Sequence, residues 1–249
     1  MGVWNDLKIL YHLALSPIRG ESHADRLESF YGGQAEQYDD FRKRLLHGRE
    51  QLCQSLPLAP GGVWVDLGGG TGANVAFAGD AVRDLQQVYV VDLSPSLLRV
   101  ARQRFESLGL DNARAIEADA TRWMPPEGYA DVVTFSYSLT MIPDWFRAID
   151  HARALLRPGG TIGVVDFFVS RKYPEPGRVR HGYATRTFWP WWFSNDNVFL
   201  SPDHVPYLQA HFETQALEEC RARVPYIPLM QVPYYRYVGV KPAPQNSAS

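Results

Sequence analysis

Between Val63 and Asp166 the chain alternates short apolar runs with segments in which apolar residues recur at helical spacing. Runs of this kind fit strands buried on both faces, so the pattern predicts a parallel sheet covered by helices on both sides. Strands are expected at Val63 to Leu67, Val88 to Asp92, about Ala115 to Ala118, Asp131 to Tyr137 and Thr161 to Phe168. Ser94 and Pro95 mark a helix start; Leu98, Ala101, Phe105 and Leu108 repeat every three or four residues, and Gly109 stops the run. A second helix, Asp144 to Leu156, is expected to bury Trp145, Ile149, Ala152 and Leu156. Pro158-Gly159-Gly160 then turns the chain into the fifth strand. Five strands with four helical crossovers result.

Two more strand-like stretches, Thr214 to Val224 and Tyr234 to Lys241, are joined by the loop Pro225 to Pro233 instead of a helix. Without a crossover they are expected to pair antiparallel. The organisation read from these patterns has a helical N-terminal cap over residues 1–60 and a core over 61–241. An aromatic- and proline-rich cap insertion at 170–206 interrupts the core, and 242–249 form a flexible tail.

At 249 residues, 45% hydrophobic and with a formal net charge of −2, the chain can bury one sizeable core. It lacks the concentrated positive charge that a nucleic-acid partner demands, so none is expected. Cys53 and Cys220 lie far apart, which argues against a disulfide framework or a cysteine-rich zinc site and for a reducing, cytoplasmic setting. No apolar stretch approaches the roughly 20 residues that cross a bilayer. The histidines show no ligand spacing with cysteine or carboxylate, and no metal is assigned.

The candidate chemistry starts at the end of the first strand. Asp66, Gly68, Gly70 and Gly72 stand at the spacing D-x-G-x-G-x-G, with Gly69 between them. Glycines there let the backbone bend sharply and approach a ligand where a β-carbon would clash. A dinucleotide turn usually reads G-x-G-x-x-G and rests a pyrophosphate on the helix N-terminus. The Asp66 carboxylate is a poor neighbour for phosphate and a better one for a cation or hydroxyl donors. Asp92 and Asp119 close the second and third strands in the same way.

This order of features resembles the class I S-adenosylmethionine-dependent methyltransferases over roughly Arg49 to Lys241. The resemblance implies a Rossmann-like α/β fold, a seven-stranded sheet of five parallel strands plus a C-terminal antiparallel pair. It implies S-adenosyl-L-methionine as cofactor, its methionyl part cradled by Asp66, Gly68, Gly69, Gly70 and Gly72. Asp92 would accept both ribose hydroxyls, a charge-assisted bidentate pairing. Asp119 would accept the adenine amino group, with the Ala120 amide against the ring and Leu93 and Trp123 on its faces. The loop from Ser136 to Met141 would lie beside the transferring methyl group.

The stretches Phe30 to Tyr38 with Arg42, Ser136 to Trp145, Val165 to Ser170 and Pro233 to Gly239 are similar to the N-methyltransferases of betaine-lipid synthesis. That family trimethylates the amine of diacylglycerylhomoserine. The similarity implies an amine-bearing lipid substrate, peripheral membrane contact and a partner enzyme that makes diacylglycerylhomoserine. Phosphatidylethanolamine and a quinone ring carbon are alternative acceptors, and a nicotinamide-dependent dehydrogenase or a non-catalytic scaffold are alternative functions. Tyr31 and Tyr137 are the side chains expected to position the acceptor nitrogen. Tyr38 would cover the sulfonium and Arg42 would pair with the methionyl carboxylate, unless Arg42 belongs to a solvated basic face with Lys43, Arg44 and Arg49.

The aromatic run Phe188 to Phe193 has three readings: packing of a cap, contact with a bilayer interface, or a cage for a quaternary ammonium. The apolar positions Trp4, Leu7, Leu10 and Leu13 suit either a surface-lying helix on a membrane or one docked on its own protein. Arg178, Arg180 and Arg186 are candidates for the acceptor's carboxylate.

Overall fold

The computed structural model describes residues 45–194, 197–224 and 230–243. Residues 1–44 of the N-terminal cap, with Tyr31, Tyr38 and Arg42, and nearly all of the C-terminal tail lie outside the described residues. Strands β1 (Val63–Leu67), β2 (Gln87–Asp92), β3 (Ala113–Glu117), β4 (Ala130–Ser136), β5 (Leu156–Phe167), β6 (Glu213–Arg223) and β7 (Gln231–Val240) form one sheet of order β3-β2-β1-β4-β5-β7-β6. The first five run parallel, and β7 pairs antiparallel with both β5 and β6. This is the seven-stranded arrangement expected from the pattern.

Every residue of β1 is buried, because helices cover both faces of the sheet. Val63, Val65 and Leu67 pack with Ala148, Ile149, Ala152 and Leu155 on one side. Trp64 packs on the other side with Leu98, Ala101 and Phe105. Strand alternation thus feeds two cores from five residues. The helices described are α1 (Arg49–Ser55), α2 (Ala73–Phe77), α3 (Pro95–Leu108), α4 (Trp145–Leu155), α5 (Tyr183–Ser194) and α6 (His204–His211). Ser94 caps α3 by accepting the Leu97 amide, Pro95 fills the first turn, and Gly109 ends the helix with φ 62°.

Two expectations need correction. Only three of the four parallel crossovers carry helix: the β3 to β4 connection is irregular, since Pro125, Pro126 and Gly128 break any helical run. Leu156 belongs to β5 instead of the preceding helix, because it pairs with Ala130 ahead of a register shift. Pro158-Gly159-Gly160 is therefore an irregularity inside a strand, bonded through Gly159 and Gly160 to Lys241. Trp145 is half-buried at the start of α4.

Within the aromatic segment, α5 sends Trp189 and Phe193 inward onto Phe167 at the end of β5, with the Phe167 and Phe193 rings stacked at 4.8 Å. Tyr183 and Trp191, two turns apart on the outer face, are 77% and 65% exposed. No helix among the described residues is long and apolar enough to cross a membrane.

Candidate cofactor site

A cavity of about 260 Å³ opens along the carboxyl ends of β1 to β4. That edge is where ligands bind in open α/β sheets, since the loops leaving neighbouring strands diverge there. Among the described residues four loops build it: Gly68 and Gly70 after β1, Asp92 and Leu93 at the end of β2, Asp119 and Ala120 after β3, and Tyr137, Ser138 and Met141 to Asp144 after β4.

The glycine spacing has a direct structural reason. Gly68, Gly70 and Gly72 have φ of 69°, 56° and 67°, the left-handed region that side chains avoid. Gly69 is held for another reason, because a β-carbon there would come within 2.5 Å of an Asp66 oxygen. The Gly68 and Gly69 amides both donate to the Val91 carbonyl, which folds the turn over the end of β2. Asp92 completes the tie: its carboxylate accepts the Gly70 amide and the Ser94 amide, each at 2.9 Å. Asp119 is fixed by its own turn, accepting the Thr121 amide at 2.8 Å and hydroxyl at 2.7 Å, with Arg122 3.7 Å away.

Asp66 does not line the cavity. Its carboxylate is fully buried beneath the turn, where it accepts Asn74 Nδ2 and, at 2.6 Å, the Thr134 hydroxyl. Arg49, buried at the start of α1, donates to Asn74 Oδ1 and to the Ser136 hydroxyl. Burial pushes the Asp66 carboxyl up to about 6, against the opposing pull of Thr134, Asn74 and Arg49. Asp66 thus shapes the glycine turn from below. Gly69, Gly72 and Ser136 are likewise absent from the lining.

Tyr137 reaches the cavity but its hydroxyl does not serve an acceptor. With φ 54° the residue turns its hydroxyl to donate to the His47 carbonyl at 2.6 Å, and its ring meets Phe167 edge-on. Burial, then the nearby Asp166, raises that phenol well above its ordinary range. Trp123 also departs from expectation, packing on Tyr89 at 5.0 Å instead of lining the cavity. Arg178, Arg180 and Arg186 are not in the lining either; among the described residues its cations are Arg122 and Arg147.

Sequence reasoning missed Leu97 and Ile142, which with Met141 of the expected loop add apolar wall, and the buried Arg49 network. Leu97 could have been found, since it lies in the first turn of the helix that Ser94-Pro95 starts, directly after the cofactor strand end at Asp92. Arg49 was readable as part of a basic run; Leu52 and Cys53, three and four residues on, mark the buried face it shares.

The chemistry of the walls fits the cofactor named by the resemblance. Acceptor carboxylates at Asp92 and Asp119 suit ribose hydroxyls and an amino group, while Leu93, Leu97, Ala120 and Ile142 offer apolar surface to a flat base. Carboxylates in the same space disfavour a pyrophosphate and tolerate a sulfonium.

A model of the methyltransferase domain matches residues 34–220. The chain is 26% identical over 162 residues to the ubiquinone/menaquinone biosynthesis C-methyltransferase of Shewanella sediminis, covering 63% of this chain and 64% of that protein. It therefore spans about 64% of the length of this curated relative. In fold it is similar to phosphoethanolamine N-methyltransferase 2 of Haemonchus contortus, solved with S-adenosyl-L-methionine, with a TM-score of 0.67 at 16% identity over 90% of this chain and 61% of that one. The N-methyltransferase NodS of Bradyrhizobium japonicum, in complex with S-adenosyl-L-homocysteine, gives a TM-score of 0.59 at 16% identity over 85% of this chain and 93% of that one. With the domain model spanning most of the sequence and the cavity built as described, the chain belongs to the class I S-adenosylmethionine-dependent methyltransferase family.

Proposed function

We propose that this protein is an N-methyltransferase of lipids that converts the homoserine amine of diacylglycerylhomoserine to the trimethylated betaine. One observation carries this reading. Three separate stretches similar to the betaine-lipid enzymes come into contact, and the first of them lines the cavity: the Tyr137 amide donates to Val165, Asp166 accepts from Thr140, and the Phe168 amide donates to Pro233. A motif match gains weight from the structural context in which it falls, and the first stretch falls on the cavity wall.

When bound, S-adenosylmethionine supplies a methyl group on a sulfonium. Asp92 would hold its ribose, Asp119 and Ala120 its adenine, and the turn Gly68 to Gly70 its methionyl part. The chain's remaining task is to align the acceptor and exclude water. An amine needs to arrive unprotonated, and desolvation against Met141 and Ile142 favours that form. In this reading Tyr137 walls the site without handling a proton.

The lipid reading also accounts for the outer face of α5, where exposed Tyr183 and Trp191 would sit at the headgroup boundary of a membrane. A quinone ring carbon is the second reading, favoured by the name of the Shewanella relative. Both are tested by expressing the chain in a host that makes diacylglycerylhomoserine and measuring lipids by mass spectrometry. Trimethylated product supports the first reading. Unchanged betaine precursors with a methylated quinone would replace it with the second.

A further inference from the structure

The loop after β4 supplies the cavity wall through Tyr137, Ser138, Met141 and Ile142, yet it belongs to no helix or strand. At its middle a carboxylate from β5 binds Thr140. Asp166 is fully buried and outside the cavity lining. Its Oδ2 accepts the Thr140 amide at 3.1 Å, while Oδ1 accepts the Thr140 hydroxyl at 2.7 Å and the Phe167 amide at 2.8 Å. The Thr140 carbonyl in turn accepts the Phe199 amide at 2.7 Å, so the residue is gripped from both sides.

We propose that Asp166 is a positioning residue for methyl transfer, fixing Thr140 so that the loop holds the wall of the cavity in its working shape. The inference rests on the methyl-transfer reading for its catalytic consequence. A carboxylate is the group this position requires. Three donors converge on it, and both of its oxygens are used as acceptors. An asparagine has one oxygen, so at least one of the two buried backbone amides would face an N–H₂ group, and an orphaned buried donor carries a full desolvation penalty. Burial raises the Asp166 carboxyl to about 7, opposed by these same hydrogen bonds from Thr140 and Phe167.

The test uses the full chain with Asp166→Asn, Thr140→Val and Thr140→Ser, assayed with diacylglycerylhomoserine in detergent micelles and by hydrogen exchange of residues 138–144. Asp166→Asn is expected to lower kcat about tenfold or more, the scale of one buried amide losing its acceptor. KM for the acceptor should move by less than about threefold, as for a group that acts on alignment more than on binding. Amide exchange should quicken in the loop. Thr140→Val should follow in the same direction and Thr140→Ser should restore the wild-type values. Variants that lose stability alone, with kcat and loop exchange at wild-type levels, would overturn the proposal. Should Asp166→Asn fail to fold, the valine and serine pair at Thr140 decides it. Should the wild type leave diacylglycerylhomoserine unmethylated, the lipid reading fails by itself, and unchanged loop exchange would still refute the role of Asp166.

Discussion

Arg49 and Asn74, 25 residues apart, meet under the glycine turn: Nη2 of the arginine donates to Oδ1 of the amide at 3.0 Å. Asn74 passes the contact on to Asp66, so a buried cation and a buried carboxylate are joined through one side-chain amide. Removing one partner of a buried charge pair leaves the other uncompensated, typically at a cost of about 3–5 kcal/mol. Arg49→Met is therefore expected to destabilise the fold by roughly that amount in urea titrations. The double variant Arg49→Met with Asp66→Asn should recover part of the loss, because no charge is then stranded. Additive losses would show that the two residues do not work as a unit.

The two tryptophans at either side of α5 separate cap packing from surface contact. Trp189 is 5% exposed and packs in the cluster with Phe193 and Phe167, whereas Trp191 is 65% exposed. Trp189→Ala should cost about 3–5 kcal/mol as a cavity opens. Trp191→Ala should stay within about 0.5 kcal/mol of wild type. If α5 meets a membrane, Trp191→Ala will nonetheless weaken sedimentation with phosphatidylglycerol vesicles. Equal vesicle binding by wild type and variant would remove α5 from the membrane account.

His204 supplies a pH test. The ring is buried against Trp145 at 4.8 Å, and neither nitrogen has a hydrogen-bond partner among the described residues. Burial lowers it from 6.5 to about 3. As pH falls below 6.5 the unfolded chain takes up a proton that the folded chain refuses, so this residue subtracts stability between pH 6.5 and 3. His181, lowered to about 4, acts in the same sense, whereas Asp166, raised to about 7, keeps its proton in the folded state and acts oppositely. The wild-type curve thus contains cancelling contributions. His204→Phe isolates one: its stability relative to wild type should improve by about 2 kcal/mol between pH 7.5 and pH 5. Any packing cost of the larger ring is independent of pH. Parallel curves would mean that His204 ionises normally in the folded protein.

The sheet was legible because its determinants are local. Val63 to Leu67 is apolar apart from Asp66, Gly68 to Gly72 has to bend, and Ser94-Pro95 has to start a helix. Asp92 and Asp119 could be picked out from their place at strand ends, and both line the cavity. Asp66 carried the same signature and points elsewhere, because Asn74, eight residues on in α2, and Thr134, on β4, supply better partners than the cavity. Tyr137 shows the same limit. Its position beside the site was readable, but the capture of its hydroxyl by the His47 carbonyl is a tertiary event. The Leu156 boundary escaped periodicity because a leucine serves equally as the last helical residue or the first of a strand; only pairing with Ala130 decides.

The account rests on a carboxylate at the end of β2 acting with the glycine turn to hold the cofactor. Isothermal titration of the full chain with S-adenosyl-L-homocysteine, wild type against Asp92→Ala, tests this most directly. The expected result is one site in the wild type and at least about a tenfold loss of affinity in the variant, the size of a lost charge-assisted hydrogen bond. Equal affinity in two variants of equal stability would contradict it.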